Sequence, residues 1–90
     1  TTANCSAEVV GNSSVTSITA TITLQRLEKN GTYTTVKLWS GLSAVGNYFS
    51  WSGTASVQCG YTYRLKIVAV AHSDYGNETV TEYYSKYCSC

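Results

Sequence analysis

The chain has 90 residues, of which 43% are hydrophobic and 12% are charged, and its formal net charge is +1. This length predicts a single domain over residues 1–90, because a second core would not fit. The near-neutral charge and the absence of a basic cluster argue against nucleic acid as a partner. No run reaches the roughly 20 apolar residues of a membrane span, so membrane insertion is not expected.

The predicted elements are extended strands separated by Gly and Asn. No window has a convincing helical period, whereas apolar and polar residues alternate with a period of two along much of the chain. In chain order, the predicted strands cover residues 6–10, 15–27, 32–39, 48–52, 54–57, 61–70 and 78–87. About seven short strands with regular turn signals predict an all-β antiparallel sandwich.

Two of these strands show which side chains should face the core. In the second strand, the residues predicted to face inward are Ile18, Ala20, Ile22 and Leu24, and those predicted to face outward are Thr19, Thr21, Thr23 and Gln25. In the sixth, one face carries Tyr61, Tyr63, Leu65, Ile67 and Ala69. Alternation of this kind is typical of strands with one buried face.

Turn residues divide the strands. Asn30-Gly31 is the clearest turn, because both residues tolerate the positive φ of tight hairpins. Gly53 is interpreted as a corner or bulge that ends one strand before the next begins. Residues 40–47 and 72–77 are predicted to be loops, and loops on a rigid sheet scaffold commonly carry binding function.

Four cysteines, Cys5, Cys59, Cys88 and Cys90, are an even number for so short a chain. This predicts two disulfides and a secreted, extracellular protein. A hairpin centred on residues 74–75 places Cys59 opposite Cys90, which leaves Cys5 to pair with Cys88. A slip of two residues gives Cys59–Cys88 and Cys5–Cys90 instead.

A metal site is the alternative use of these cysteines. A four-thiolate site usually has paired Cys-x-x-Cys segments, and the one close pair here is Cys88-Ser89-Cys90. We therefore expect neither a metal nor another cofactor.

The segment Gly60-Tyr-Thr-Tyr-Arg-Leu-Lys-Ile-Val-Ala-Val, with the glycine-bearing loop and Thr79-Val-Thr that follow it, resembles the closing hairpin of fibronectin type III and related immunoglobulin-like domains. The resemblance implies an immunoglobulin-like sandwich. It places Tyr61 or Tyr63 at the position of the corner tyrosine.

A second resemblance covers most of the chain. It rests on three segments: Thr21-Ile-Thr-Leu-Gln-Arg-Leu, Gly31-Thr-Tyr-Thr-Thr-Val-Lys-Leu-Trp-Ser-Gly and Ser52-Gly-Thr-Ala-Ser-Val. They are similar to a family of small secreted proteins from Gram-positive bacteria that has no assigned activity. The resemblance implies secretion and a sandwich, and it transfers no catalytic or binding residue.

Catalysis is not expected from these residues. The single histidine, His72, is followed by Ser73 and Asp74, but strand alternation would point His72 and Ser73 to opposite faces. The few carboxylates show no evident pairing as general acid and base. We therefore assign no catalytic residue.

Aromatic residues are the better candidates for function. Exposed Tyr and Trp suit sugar stacking and protein contacts, because they combine apolar area with a polar group. The candidate binding residues are Trp39, Tyr75 and Tyr84. The sequence thus favours a monomeric, secreted binding or adhesion module for a protein or glycan at a cell surface, and the alternative is a free-standing secreted effector such as an antimicrobial or signalling polypeptide.

Overall fold

The computed structural model describes residues 1–89, which form six β-strands and no helix. The strands are β1 (Thr2–Val10), β2 (Val15–Leu27), β3 (Tyr33–Val45), β4 (Tyr48–Ser56), β5 (Tyr61–Ser73) and β6 (Gly76–Cys88). The prediction of an all-β protein is therefore confirmed. Within this part of the chain there is accordingly no helix long and apolar enough to cross a membrane.

The strands form two antiparallel sheets that pack against each other. One sheet has two strands, β1 and β4, and the other has four strands in the order β3-β2-β5-β6. We call the side of the four-stranded sheet that carries the core its inner face, and the opposite side its outer face. Because β3 and β6 are the two edges of the larger sheet, any side chain there has a neighbouring strand on one side only.

The core lies between the inner face and the two-stranded sheet. Its buried side chains are Cys5, Ala7, Ile18, Ala20, Ile22, Leu24, Phe49, Ala55, Val57, Tyr63, Leu65, Ile67 and Ala69. Ile18 and Ile22 have no exposed area. The predicted inward sets in β2 and β5 are confirmed apart from Tyr61, which is half-buried beside the core, since strand alternation directs every second residue to the same side.

The predicted number of about seven strands is wrong, because residues 48–52 and 54–56 belong to one strand, β4, which ends at Ser56. Gly53 does not end a strand: it pairs with Cys5 of β1 in an uninterrupted register. Its lack of a side chain makes room for a tryptophan instead, since a Cβ there would lie 2.6 Å from Cζ2 of Trp51. Glycine at this position therefore reflects close packing and not a corner.

The predicted loop at residues 40–47 is also wrong for most of its length. β3 continues to Val45, because β2 is long enough to pair with it as far as Ser17. Only Gly46 and Asn47 separate β3 from β4. The predicted loop at 72–77 shrinks in the same way to the turn residues Asp74 and Tyr75.

The Asn30-Gly31 turn is confirmed. Gly31 has a φ of +87°, and its N–H donates to the carbonyl oxygen of Glu28 at 3.1 Å. The Asn30 side chain accepts from the Thr32 hydroxyl at 2.7 Å. This turn fixes the β2–β3 hairpin, in which Leu27 is paired with Tyr33.

The β5–β6 hairpin has the predicted register, with Ser73 opposite Gly76 and Tyr61 opposite Cys88. The slip that would set Cys88 opposite Cys59 does not occur. Cys5 and Cys88 are free thiols in this structure, and they line different grooves, so it does not contain the Cys5–Cys88 bond. The predicted Cys59–Cys90 bond involves Cys90, which lies outside the described residues.

Candidate functional site

The three predicted binding residues do not form one site. Trp39 and Tyr84 lie on the inner face at opposite edges of the four-stranded sheet, about 14 Å apart at the usual strand spacing. Tyr75 is at the tip of the β5–β6 hairpin and is 91% exposed. It lies about 30 Å along β6 from Tyr84, at the usual rise per residue.

Trp39 is half-buried in the packing between β3 and β4. Its ring centroid lies 4.7 Å from that of Trp51, with the rings inclined at 66°. The Lys37 ammonium lies 5.3 Å from the Trp39 ring and donates to the Thr54 carbonyl oxygen at 2.9 Å. These contacts give Trp39 a structural role, and its role in binding stays a prediction.

Tyr84 is 57% exposed and borders an open groove between β1 and β6. Its hydroxyl donates to Oε2 of Glu82 at 2.7 Å. That hydrogen bond, assisted by the negative charge of Glu82, raises the pKa of Tyr84. The rim of the groove carries serines and Glu8, so it offers hydrogen-bonding groups more than an apolar pocket.

A better-organised cluster lies on the outer face, where Arg64 of β5 is stacked between two tyrosines. Its guanidinium carbon lies 3.5 Å from the ring centroid of Tyr33 and 4.6 Å from that of Tyr83. Nε of Arg64 donates to Oε1 of Gln25 at 2.6 Å. We call these three stacked residues the Tyr33–Arg64–Tyr83 stack.

The sheet register positions every member of this stack. Arg64 is paired with Gln25 of β2 on one side and with Ser85 of β6 on the other. Tyr83 precedes Ser85 by two residues and therefore shares the outer face. Tyr33 reaches the same face from β3, which is displaced by bulges in its pairing with β2.

Arg64 has no carboxylate partner in the described part of the chain. The one ion pair there joins Nε of Arg26 to Oε1 of Glu28 at 2.6 Å. A guanidinium stacked on aromatic rings keeps its in-plane N–H groups directed outward, where they match the geometry of a carboxylate or phosphate. The two tyrosine rings can therefore hold the guanidinium of Arg64 in a position where it binds an anionic group.

The outer face as a whole has one sign of charge. Arg64 and Lys66 are its charged side chains, judged from alternation and register over residues 1–89. The carboxylates of the chain are on the inner face, in turns or on β1: Glu8, Glu28, Asp74, Glu78 and Glu82. Exposed Tyr83 and Tyr87 border the two cations along β6.

Sequence reasoning missed this stack because Tyr33 comes from a distant hairpin. Part of the signal was present: the predicted β5–β6 register already places Arg64 opposite Ser85 and Lys66 opposite Tyr83. The contribution of Tyr33 depends on β3 and its bulges, which alternation alone does not reveal.

His72 and Ser73 make their side-chain hydrogen bonds to other residues and not to each other. His72 contacts Thr19 Oγ1 through Nε2 and Asn77 Oδ1 through Nδ1, both at 3.1 Å. The Ser73 hydroxyl donates to the Gly76 carbonyl oxygen at 2.9 Å. Across residues 1–89, no group of three or more His, Cys, Asp or Glu side chains is arranged to hold a metal ion.

Comparison with known proteins adds no relative: no protein-family model, curated protein or solved structure matches this chain. The resemblance to secreted proteins of Gram-positive bacteria stays a prediction. Any functional inference consequently depends on the chemistry of the chain itself.

Proposed function

We propose that this chain is a non-catalytic, secreted binding module that attaches to acidic glycans through the outer face of its larger sheet. The observation that carries the proposal is the Tyr33–Arg64–Tyr83 stack, in which the guanidinium lies between two rings and has no acidic partner among residues 1–89. Gln25 accepts only from Nε of Arg64, so the remaining guanidinium N–H groups could bind a carboxylate in a bidentate manner.

A glycan fits this face better than a compact anion. Tyr83 and Tyr87 are both on the outer face of β6, about 13 Å apart at the usual rise per residue, which spans two to three sugar rings. Tyr83 is 50% exposed and Tyr87 is 59% exposed. Tyrosine rings stack on the apolar face of a sugar, and Arg64 would bind a uronate carboxylate between them.

The strand arrangement supports an immunoglobulin-like assignment. In the immunoglobulin fold, strands B and E share one sheet, and C, F and G share the other, with C′ added beside C in variable domains. The pair β1–β4 corresponds to B and E, and the order β3-β2-β5-β6 corresponds to C′, C, F and G. Strands A and D have no counterpart among the six strands described.

Location outside the cell is part of the proposal. Four cysteines in 90 residues favour an oxidising compartment, where a Cys59–Cys90 bond would close a long loop. The charged fraction of 12% leaves a surface rich in Ser and Thr, which suits contact with polysaccharides. Intact mass before and after reduction of the secreted chain tests this part separately.

The binding proposal is tested by calorimetric titration with polygalacturonate, with neutral dextran as the comparison polymer. We expect binding to polygalacturonate alone. Arg64→Lys should weaken it by about tenfold or more, because the lysine cannot form the bidentate contact. Lys66→Gln is the matched control: it removes a neighbouring charge of the same face, and we expect a change below about threefold.

Two outcomes would contradict the proposal. One is equal affinity for polygalacturonate and dextran, which would mean that the guanidinium is not recognising a carboxylate. The other is a loss in Lys66→Gln that equals or exceeds the loss in Arg64→Lys, which would mean that net charge and not the stacked guanidinium carries the attraction, because Arg64→Lys keeps the positive charge. Thermal unfolding of each variant ensures that a loss of binding is not a loss of fold.

A further inference from the structure

β6 is an exposed edge strand that nothing covers in the described structure. Every residue from Gly76 to Tyr87 is exposed, and β5 is its single neighbour in the sheet. It has 13 residues, it lacks proline, and it carries exposed Val80 and Tyr84 on the inner side. A long sheet edge that no strand or loop covers presents unpaired N–H and C=O groups, to which another strand can pair.

We propose that two copies of this chain associate by antiparallel pairing of their β6 strands, which joins the two larger sheets into one of eight strands. The proposal is independent of glycan binding. It replaces the sequence-based expectation of a monomer.

The backbone groups needed for this pairing are available at alternate residues. Ser73 and Gly76 form the last pair of a two-residue hairpin, so they are a hydrogen-bonded pair, and such pairs recur at every second position. The even-numbered residues of β6 therefore bond to β5. The odd-numbered ones, including Thr79, Thr81 and Tyr83, direct their N–H and C=O groups to the free edge.

The charges of β6 are self-complementary in the antiparallel orientation. Glu78 is near the start of the inner side of β6 and Lys86 is near its end, at equal distances from Glu82. Pairing centred on Glu82 sets Glu78 of each copy opposite Lys86 of the other, twice by symmetry. Parallel pairing would instead place like charges side by side.

The same register matches the remaining inner side chains. Val80 of one copy lies opposite Tyr84 of the other, which is a favourable aliphatic–aromatic pair at a close, non-hydrogen-bonded position. One unfavourable contact remains, between the two copies of Glu82 on the symmetry axis. Two ion pairs and two apolar pairs outweigh that one repulsion, and this balance selects the Glu82-centred register.

The arrangement of charged and apolar residues on β6 favours a second copy of this chain as the strand that pairs with its free edge. An unrelated peptide would need the same alternation of charge, whereas the chain supplies it to itself. The two-stranded sheet leaves β6 uncovered, because β1 packs beside β5 and the residues of β6 before Cys88 are exposed.

The proposal is tested by exchanging the charges of Glu78 and Lys86 and measuring self-association by sedimentation equilibrium over a concentration series. We expect the full chain to form dimers, and Lys86→Glu or Glu78→Lys alone to weaken association by about tenfold, because each turns two attractions into repulsions. The double variant Glu78→Lys/Lys86→Glu should restore association to within about threefold of the original chain. Lys66→Glu, an equal change of charge away from the edge, should leave it unchanged.

A backbone variant tests the edge itself. Thr81→Pro removes an N–H that points to the free edge, so the monomer should fold while the dimer is lost. A chain that stays monomeric up to millimolar concentration would overturn the proposal. So would a dimer that tolerates Thr81→Pro, or one that the double variant fails to restore, since each outcome means that another surface or an unrelated partner occupies the edge.

Discussion

Trp51 occupies the space that Gly53 leaves open on β4. A Cβ at Gly53 would lie 2.6 Å from Cζ2 of Trp51 and 3.3 Å from Nε1 of Trp39. The two indoles in turn contact each other edge to face. The glycine thus allows a pair of tryptophans to close one side of the sandwich.

Gly53→Ala should therefore destabilise the protein by about 1–3 kcal/mol, because the added methyl group displaces a packed indole ring. Urea denaturation followed by tryptophan fluorescence measures the change. Ser52→Ala, one residue away on the exposed side of β4, is the control and should shift the free energy of unfolding by less than about 0.5 kcal/mol. Equal stability of the Gly53 variant and the original chain would show that the ring has room to move.

Ile22→Ala should cost about 2–5 kcal/mol, since Ile22 has no exposed area and lies between the two sheets. Thr21→Ala, on the outer face of the same strand, should cost much less. Thermal or chemical unfolding compares the two variants. Similar losses for both would contradict the assignment of inner and outer faces in β2.

The contact between Arg64 and Tyr33 should be worth about 0.5–1 kcal/mol as a coupling energy, as expected for a half-exposed cation–π pair. A double-mutant cycle with Arg64→Gln and Tyr33→Leu measures it through the free energy of unfolding. Additivity of the two single changes would mean that the guanidinium is not held against the ring in solution.

Cys5 should make stability depend on pH in the alkaline range when it is a thiol. Burial raises its pKa above the ordinary value of 9.0, against the opposing effect of the Lys37 charge. Below that value the folded and unfolded chains both keep the proton. Above it the unfolded thiol ionises first, so the free energy of unfolding falls as pH rises.

Chemical denaturation at neutral pH and about one unit above the ordinary thiol pKa measures this effect. Cys5→Ala should remove the part of the pH dependence that Cys5 contributes. An identical pH dependence in both chains would argue that Cys5 does not titrate, as in a disulfide. Alkylation of the unfolded, unreduced chain then distinguishes thiols from a disulfide. Cys5 and Cys88 are labelled if they are thiols and stay unlabelled if they are bonded to each other.

Alternation along β2 and β5 was sufficient to predict which of their side chains form the core, because each strand has one buried face. The β5–β6 register also followed from the sequence, since a two-residue turn at Asp74 and Tyr75 leaves little freedom. Each of these patterns involves residues of a single strand or hairpin, so the local sequence is sufficient to predict it.

Features that depend on pairing between distant segments were not predictable. β3 extends beyond Trp39 because β2 offers it a partner, although its own alternation is irregular around the bulges. Gly53 was interpreted as a corner because its close contact with Trp51 appears only in the packed structure. The Tyr33–Arg64–Tyr83 stack combines three strands, and the sequence alone supplied only the β5–β6 part of it.

Titration of the isotope-labelled chain with oligogalacturonate, followed by NMR, tests the central claim most directly. We expect the largest shifts at the terminal guanidinium N–H groups of Arg64 and at the amides of Tyr83 and Tyr87, with the indole N–H signals of Trp39 and Trp51 nearly unchanged. Shifts concentrated at Tyr75, at Tyr84 or at the tryptophans would contradict it, because the ligand would then bind away from the outer face.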